Sequence, residues 1–325
     1  MHKCFAARSR NCDVLMKSSS GGVFFELAKS VVKSGGIAVG ASWGDSVKNI
    51  LHVAIGDEGE LYKIQGSKYA VSSLTSVIPV IADALRAKKT VLFSGTPCQT
   101  AAMQKKFGDG DGFLILCSVF CHSVPQKDVW EKYVADVESE NGYAINRVNF
   151  KKKDDGWRQS KMLISFENSS KILNGPVSCN AYMKAFISGL SAYESCLTCR
   201  YKGDNAVADI QLGDFWGVEN ILPKIDDNRG LNACILRSEV ALRLFYSAEI
   251  DIWPVRAEDI QKGNPMLIRP VSPNMVARKK FLSLYKEKGV QAAVDIALSY
   301  QRCYWQRVSL ILKRFVSFCK QKIGV

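Results

Sequence analysis

The chain has 325 residues, 47% of them hydrophobic and 23% charged, which supplies apolar material for one large core or two smaller ones. Disordered and collagen-like classes are excluded by that balance. No apolar run approaches the roughly 18 residues of a membrane-spanning helix, since the longest, residues 113–121, is interrupted by Ser118; an integral membrane protein is not expected.

The basic start, residues 1–10, leads into no apolar segment or cleavage site of an export signal. Eleven cysteines without such a signal, an odd number that cannot all pair, favour thiol, metal or redox chemistry in the cytoplasm over a disulfide framework. The formal charge of +13 is concentrated at one end: residues 275–325 carry eleven Lys and Arg against two acidic residues, which leaves +4 for the rest. No zinc-finger, homeodomain or RNA-recognition pattern accompanies this tail. A solvated helix, or contact with a membrane surface or a partner protein, is expected, and nucleic acid is not.

In chain order, Ser18-Ser19-Ser20-Gly21-Gly22 precedes apolar residues at helical spacing (Val23, Phe24, Leu27, Ala28, Val31, Val32), with Ser20 placed to cap the helix and Gly35-Gly36 to end it. Strands are expected over 37–41 and 50–55, a helix over 77–87, and a buried strand over 90–93 that ends at Ser94-Gly95-Thr96-Pro97-Cys98. Proline after a glycine turn marks a helix start and puts Cys98 in its first turn. Residues 113–119 repeat the theme, running into Cys121-His122-Ser123-Val124-Pro125 and then a helix through Val129, Trp130, Tyr133 and Val137. This alternation predicts an α/β fold, mixed α+β, with a partly parallel sheet core flanked by helices. Antiparallel strands follow at 145–150 and 162–166, a short helix at 181–190, and strands at 208–216 and 232–236. Pro265, Pro270 and Pro273 read as a linker before a helical basic C-terminal extension. Three regions are expected: 1–75, 76–250 and 251–325.

Cys196 and Cys199 form a C-x-x-C pair that lets two thiolates converge on one metal from a tight turn. With Cys98 and Cys121, both at strand-to-helix turns, they make four thiolates, a set that suits zinc or an iron–sulfur cubane. Buried cysteines also pack simply as small hydrophobes. A further reading makes Cys98 a nucleophile with His122 as its base. The serine–glycine turn at 18–22 has the free N–H groups of a phosphate cradle, and Gly66-Ser67-Lys68-Tyr69 resembles an anion-binding turn; a capped helix and an ordinary turn are the plainer alternatives. Asp214, in Gly213-Asp214-Phe215-Trp216-Gly217, sits where it can orient a ring cofactor or a metal ligand, or close a turn. In the tail, Trp305, Val308, Leu312, Phe315 and Cys319 share one helical face, suited to a membrane interface, a partner or the chain's own core.

Taken together, Lys17-Ser18-Ser19-Ser20-Gly21-Gly22, Gly66-Ser67-Lys68-Tyr69, Phe93-Ser94-Gly95-Thr96-Pro97-Cys98-Gln99, Cys121-His122-Ser123-Val124-Pro125, Cys196-Leu197-Thr198-Cys199 and Asp214-Phe215-Trp216-Gly217 resemble the coenzyme F420 hydrogenase/dehydrogenase beta subunit family. The motifs keep their order over about three quarters of the chain. The resemblance implies a [4Fe–4S] cluster and FAD, with cluster ligands Cys98, Cys121, Cys196 and Cys199. It makes Ser20, Gly21, Gly22, Gly66, Ser67, Lys68 and Asp214 flavin-site candidates, with Lys68 and His122 in catalytic roles. It further implies an oxidoreductase acting on coenzyme F420 or another small molecule, with cell-surface polysaccharide synthesis as one setting. Ser123 stands where the family commonly has glycine. Only Cys4 and Cys12 occupy the start, where many members carry a ferredoxin segment, so a separate ferredoxin-type carrier is expected to supply electrons. The alternative is a zinc-stabilised, non-catalytic scaffold that docks through the basic C-terminal helices at the inner face of a membrane or on a protein.

Overall fold

The computed structural model describes the backbone of residues 2–323 and the side chains of residues 2–299. Its centre is a pair of strands, β4 (Val91–Gly95) and β5 (Leu114–Val119), whose residues are buried on both faces, as parallel strands inside a covered sheet must be. Around them β1 (Lys3–Ser9), β2 (Ile37–Trp43), β3 (Ile50–Ile55), β9 (Ile210–Asp214), β10 (Asn232–Leu236) and β11 (Ile250–Pro254) complete one sheet. Its order is β11-β1-β10-β9-β5-β4-β2-β3. Neighbours β2, β4, β5 and β9 run parallel, and the remaining pairs are antiparallel. A second, antiparallel sheet holds β6 (Ile145–Lys152), β7 (Lys161–Phe166) and β8 (Ile172–Pro176).

Period-two alternation divides the main sheet's side chains between two cores. Leu92, Ile115 and Cys117 pack with Leu27 and Val31 of α2 (Val23–Lys33) and Phe245 of α9 (Glu239–Ser247). Val91, Phe93, Leu114 and Leu116 face Val77 and Ile81 of α3 (Val77–Arg86) and Met103 of α4 (Pro97–Phe107). Over the antiparallel half, Cys4, Ala6, Ala233 and Ile235 meet Trp157, Phe215 and Ile260. A separate aromatic core joins the small sheet to α5 (Lys127–Asn141), α6 (Ala181–Ile187) and α11 (Met275–Ile323), through Trp130, Tyr133, Phe150, Tyr182, Phe186 and Phe281. Helix α11 breaks at Gly289, whose φ of 80° lies in the left-handed region; the next N–H, of Val290, donates to Asp136 of α5.

The fold is therefore the expected mixed α/β sheet with a helical C-terminal extension. Three strands were not foreshadowed: β1, β8 and β11. β1 pairs with β10 on one side and β11 on the other, so the large sheet runs without interruption across residues 75 and 250. The extension's first turns are tied to the body: buried Arg278 donates to the Leu190 carbonyl and to Glu194 of α7 (Glu194–Leu197). The apolar face of Trp305, Val308, Leu312, Phe315 and Cys319 lies outside the described side chains.

Candidate functional site

Parallel strands present their C-terminal ends at one edge, where turns into helices leave backbone groups and side chains for ligands. β4 ends at Gly95 before Pro97 and Cys98, β5 ends at Val119 before Cys121, and β9 ends at Asp214. The antiparallel neighbours bring residues to the same edge: Asn232 is paired with Asp214, and Ala7 with Asn232. From the far side of the sheet, β3 contributes His52. A cavity of about 880 Å³ opens there, at the upper end of the roughly 300–1,000 Å³ usual for small-molecule sites.

The 18–22 turn forms one wall, with a local structure that differs from the expected one. Ser20 does not cap α2; its buried hydroxyl donates to the Leu231 carbonyl at 2.8 Å. The cap residue is Gly22, with φ 78°, and the first N–H of α2, from Val23, goes to the Asn232 side chain 209 positions away. A Cβ on Gly21 would come within 2.5 Å of the Ala7 carbonyl oxygen, so the turn is closed against β1 and β10 and only glycine fits. Its carbonyl side is held by buried Lys153, whose ammonium donates to Leu15, Ser20 and Arg229 carbonyls at 2.7, 2.5 and 2.8 Å.

The turn at 66–69 forms a second wall. Ser67 N–H donates to Ser19, joining the two turns. Lys68 donates to the carbonyls of Lys63, Gln65 and Gly66 at 3.0–3.3 Å, so all three of its N–H bonds are engaged inside its own loop. Burial lowers its pKa to about 7. Asp214 faces Lys151, Oδ2 to Nζ 2.5 Å, and accepts from Trp157 Nε1 at 3.3 Å. Burial opposes the Lys151 charge, but Asp214 holds its pKa above the ordinary value. Trp157 stacks on Trp216 with centroids 4.7 Å apart, and Lys151 lies 4.9 Å from the Trp216 centroid. Neither Lys151 nor Lys153 was singled out from sequence. Both face the same side of the strand running out of β6, but a lysine in an alternating strand ordinarily reads as a solvated position.

At the cavity's third side lies Cys121. Burial pushes its thiol up to about 12; Lys202 acts in the opposite direction, and charge on Cys98, Cys196 or Cys199 would add to the rise. Cys196 is likewise raised by burial, and senses Cys199 and Cys98. The four cysteines are thus electrostatic neighbours. They come from three segments: the first turn of α4, the β5–α5 loop, and α7 with the turn that follows it. The loop and α7 are linked by Tyr193 N–H to the Val124 carbonyl at 2.9 Å and Val124 N–H to Cys196 Sγ at 3.4 Å. Cys98 Sγ sits 3.1 Å from Thr96 Oγ1, in a turn where Thr96 and Gln99 complete a capping box. Among the described residues no three His, Cys, Asp or Glu side chains stand in closed ligand geometry. Four thiols on short turns are nevertheless the donor types of a thiolate-bound cluster; Cys98 is exposed, and Cys121, Cys196 and Cys199 are half-buried.

His122 lines the cavity with its ring against Phe186 at 5.1 Å; burial, then the Lys202 charge, lower its pKa, while the carbonyls of Phe186 and Ile187 raise it. Its Nε2 has no hydrogen-bond partner, so it makes no hydrogen bond to Cys98 and the nucleophile pairing is not formed. His52 Nδ1 and Ser123 Oγ are also buried beside the cavity without partners. Buried polar atoms are ordinarily satisfied, and these three cavity-lining atoms are left free to meet a ligand.

Residues 88–261, a little more than half of the chain, match the family model that describes the C terminus of the coenzyme F420 hydrogenase/dehydrogenase beta subunit. The chain belongs to this family. The match runs from just before β4 through α9 and β11 into α10 (Ala257–Gly263) and takes in all four cysteines. The family assigns an oxidoreductase role of the F420 hydrogenase beta-subunit kind. Among solved structures, a chain from the F420-reducing [NiFe] hydrogenase complex of Methanosarcina barkeri, studied by xenon derivatization, is 18% identical and superposes with a TM-score of 0.54 over 92% of this chain and 90% of that one. At that identity the likeness shows a shared fold. No curated protein matches the sequence.

Proposed function

We propose that the chain is an iron–sulfur flavoprotein oxidoreductase, with Cys98, Cys121, Cys196 and Cys199 holding a [4Fe–4S] cluster and the adjoining cavity holding FAD. The observation that carries this reading is the double position of Cys121: it belongs to the group of four thiols and lines the 880 Å³ cavity. A cluster bound there would supply one-electron steps and a flavin would couple them to two-electron chemistry on a substrate.

The chain's own residues then do the positioning. At the start of α2, beyond the Val23 N–H already given to Asn232, the helix dipole favours a phosphate, and Lys153 holds the Ser20 carbonyl. Lys68 shapes the 66–69 turn and adds charge beside it. Lys151 and Asp214 provide a buried ion pair that can hold polar ring atoms. His122, with its free Nε2, is placed to accept or give a proton at the cavity wall. The substrate is a small molecule, coenzyme F420 or another acceptor, and the electron donor is a separate ferredoxin-type protein. We place the enzyme in the cytoplasm, with cell-surface polysaccharide synthesis as its setting; among the described residues no helix is long and apolar enough to cross a membrane.

Iron per chain in the Cys199→Ser variant tests the ligand assignment. Iron should fall severalfold against the wild type, while Cys179→Ser, at an exposed cysteine outside the group, keeps it. Unchanged iron in Cys199→Ser contradicts the assignment.

A further inference from the structure

We infer that Lys202 is the residue that sets the reduction potential of the cysteine-bound centre, a role that rests on the proposed cluster. Lys202 follows Cys199 by three residues and is half-buried. It donates to the carbonyl of Cys121 and, at 2.7 Å, to that of Met266. Cys121 comes from the β5–α5 loop and Met266 from the turn after α10, so one cation pins two cavity-lining segments together, one of them carrying a thiol of the group.

A centre held by four thiolates carries net negative charge and gains one more on reduction, so a fixed cation beside it stabilises the reduced form more than the oxidised one. The carbonyls that hold Lys202 are neutral acceptors and leave its charge uncancelled, unlike Lys151, which is neutralised by Asp214. Outer groups that hydrogen-bond to a ligand's backbone also fix the ligand's orientation.

The test is a dithionite titration of the loaded protein followed by electron paramagnetic resonance, comparing wild type, Lys202→Gln and Lys202→Arg, with iron counted on each sample. Lys202→Gln should shift the midpoint to more negative potential, and Lys202→Arg, which keeps the charge, should stay near the wild type. A Lys202→Gln protein that loads no iron, beside a Lys202→Arg protein loaded at the wild-type potential, also supports the role. Equal potentials in wild type and Lys202→Gln overturn it, as does a shift or loss of iron of the same size in both variants. A wild-type protein that takes up no iron overturns the cluster reading, and this inference with it.

Discussion

The aromatic body and the sheet edge are built from similar residues and finished differently. In the body, Trp130, Tyr133, Tyr182 and Phe150 pack ring to ring, and their polar tips are paired: Trp130 Nε1 with the Val47 carbonyl at 2.8 Å, Tyr133 OH with Asn180 at 2.6 Å, Tyr182 OH with the Tyr69 carbonyl at 2.5 Å. At the sheet edge, buried His52 and Ser123 and half-buried His122 each leave a polar atom unpartnered beside the cavity. One region is complete by itself and carries stability; the other is left open on one side and carries the site. Tyr182 links them, since the Tyr69 whose carbonyl it holds belongs to the cavity's second wall.

Substitutions in the two regions should separate along the same line. Trp130→Ala, in the body, removes a fully buried ring and its hydrogen bond and should cost about 4 kcal/mol in denaturant unfolding. Flavin bound per folded chain should hardly change. A large loss of flavin from well-folded Trp130→Ala protein would erase the distinction. At the edge, Lys151→Met leaves Asp214 buried without its cation and should cost roughly 3 kcal/mol. Here flavin binding should weaken as well, and pairing the change with Asp214→Leu should recover stability without recovering flavin.

A smaller effect is expected from acid. Burial drives the His52 pKa from 6.5 to about 4, with Lys68 adding to the drop and the Ser94 carbonyl opposing it. Folded His52 thus stays neutral where the unfolded chain takes up a proton, so its contribution is complete above pH 6.5 and is lost as pH falls toward 4. The gap is worth on the order of 2–3 kcal/mol. Unfolding free energies of wild type and His52→Gln, followed between pH 7 and 4, should converge by that amount. Parallel curves would show that His52 does not titrate differently in the two states.

Much of this architecture was legible in the residues. Ile50–Ile55 and Asn232–Leu236 were read with their observed bounds, and Pro97 fixed the start of α4, because these segments carry their own turn and strand signals. β1 escaped because Cys4, Phe5, Ala6 and Ala7 are all buried, so no alternation shows, and because a basic terminus reads first as a targeting question. α9 had a usable signal that went unread: Ser238 caps it, and Leu242 and Phe245 stand three apart on its buried side. In the site, cysteines and glycines stood out because few residue types share their chemistry. Lys151, Lys153 and Lys202 could not be distinguished from surface lysines, since what sets them apart is a carboxylate 63 positions away or carbonyls from distant loops. Ser20 was the instructive reversal: a serine before a helix reads as its cap, but here the sheet supplies Asn232 for that task and uses the serine to close the turn.

The most direct measurement is the visible spectrum of anaerobically purified protein, with iron, sulfide, zinc and released flavin counted on the same sample. Broad cluster absorption and a flavin band, both bleached by dithionite, with about four irons and one flavin per chain, is the result expected for a thiolate-bound cubane beside a flavin. A colourless protein holding zinc, which takes up neither cluster nor flavin on reconstitution, would contradict the account.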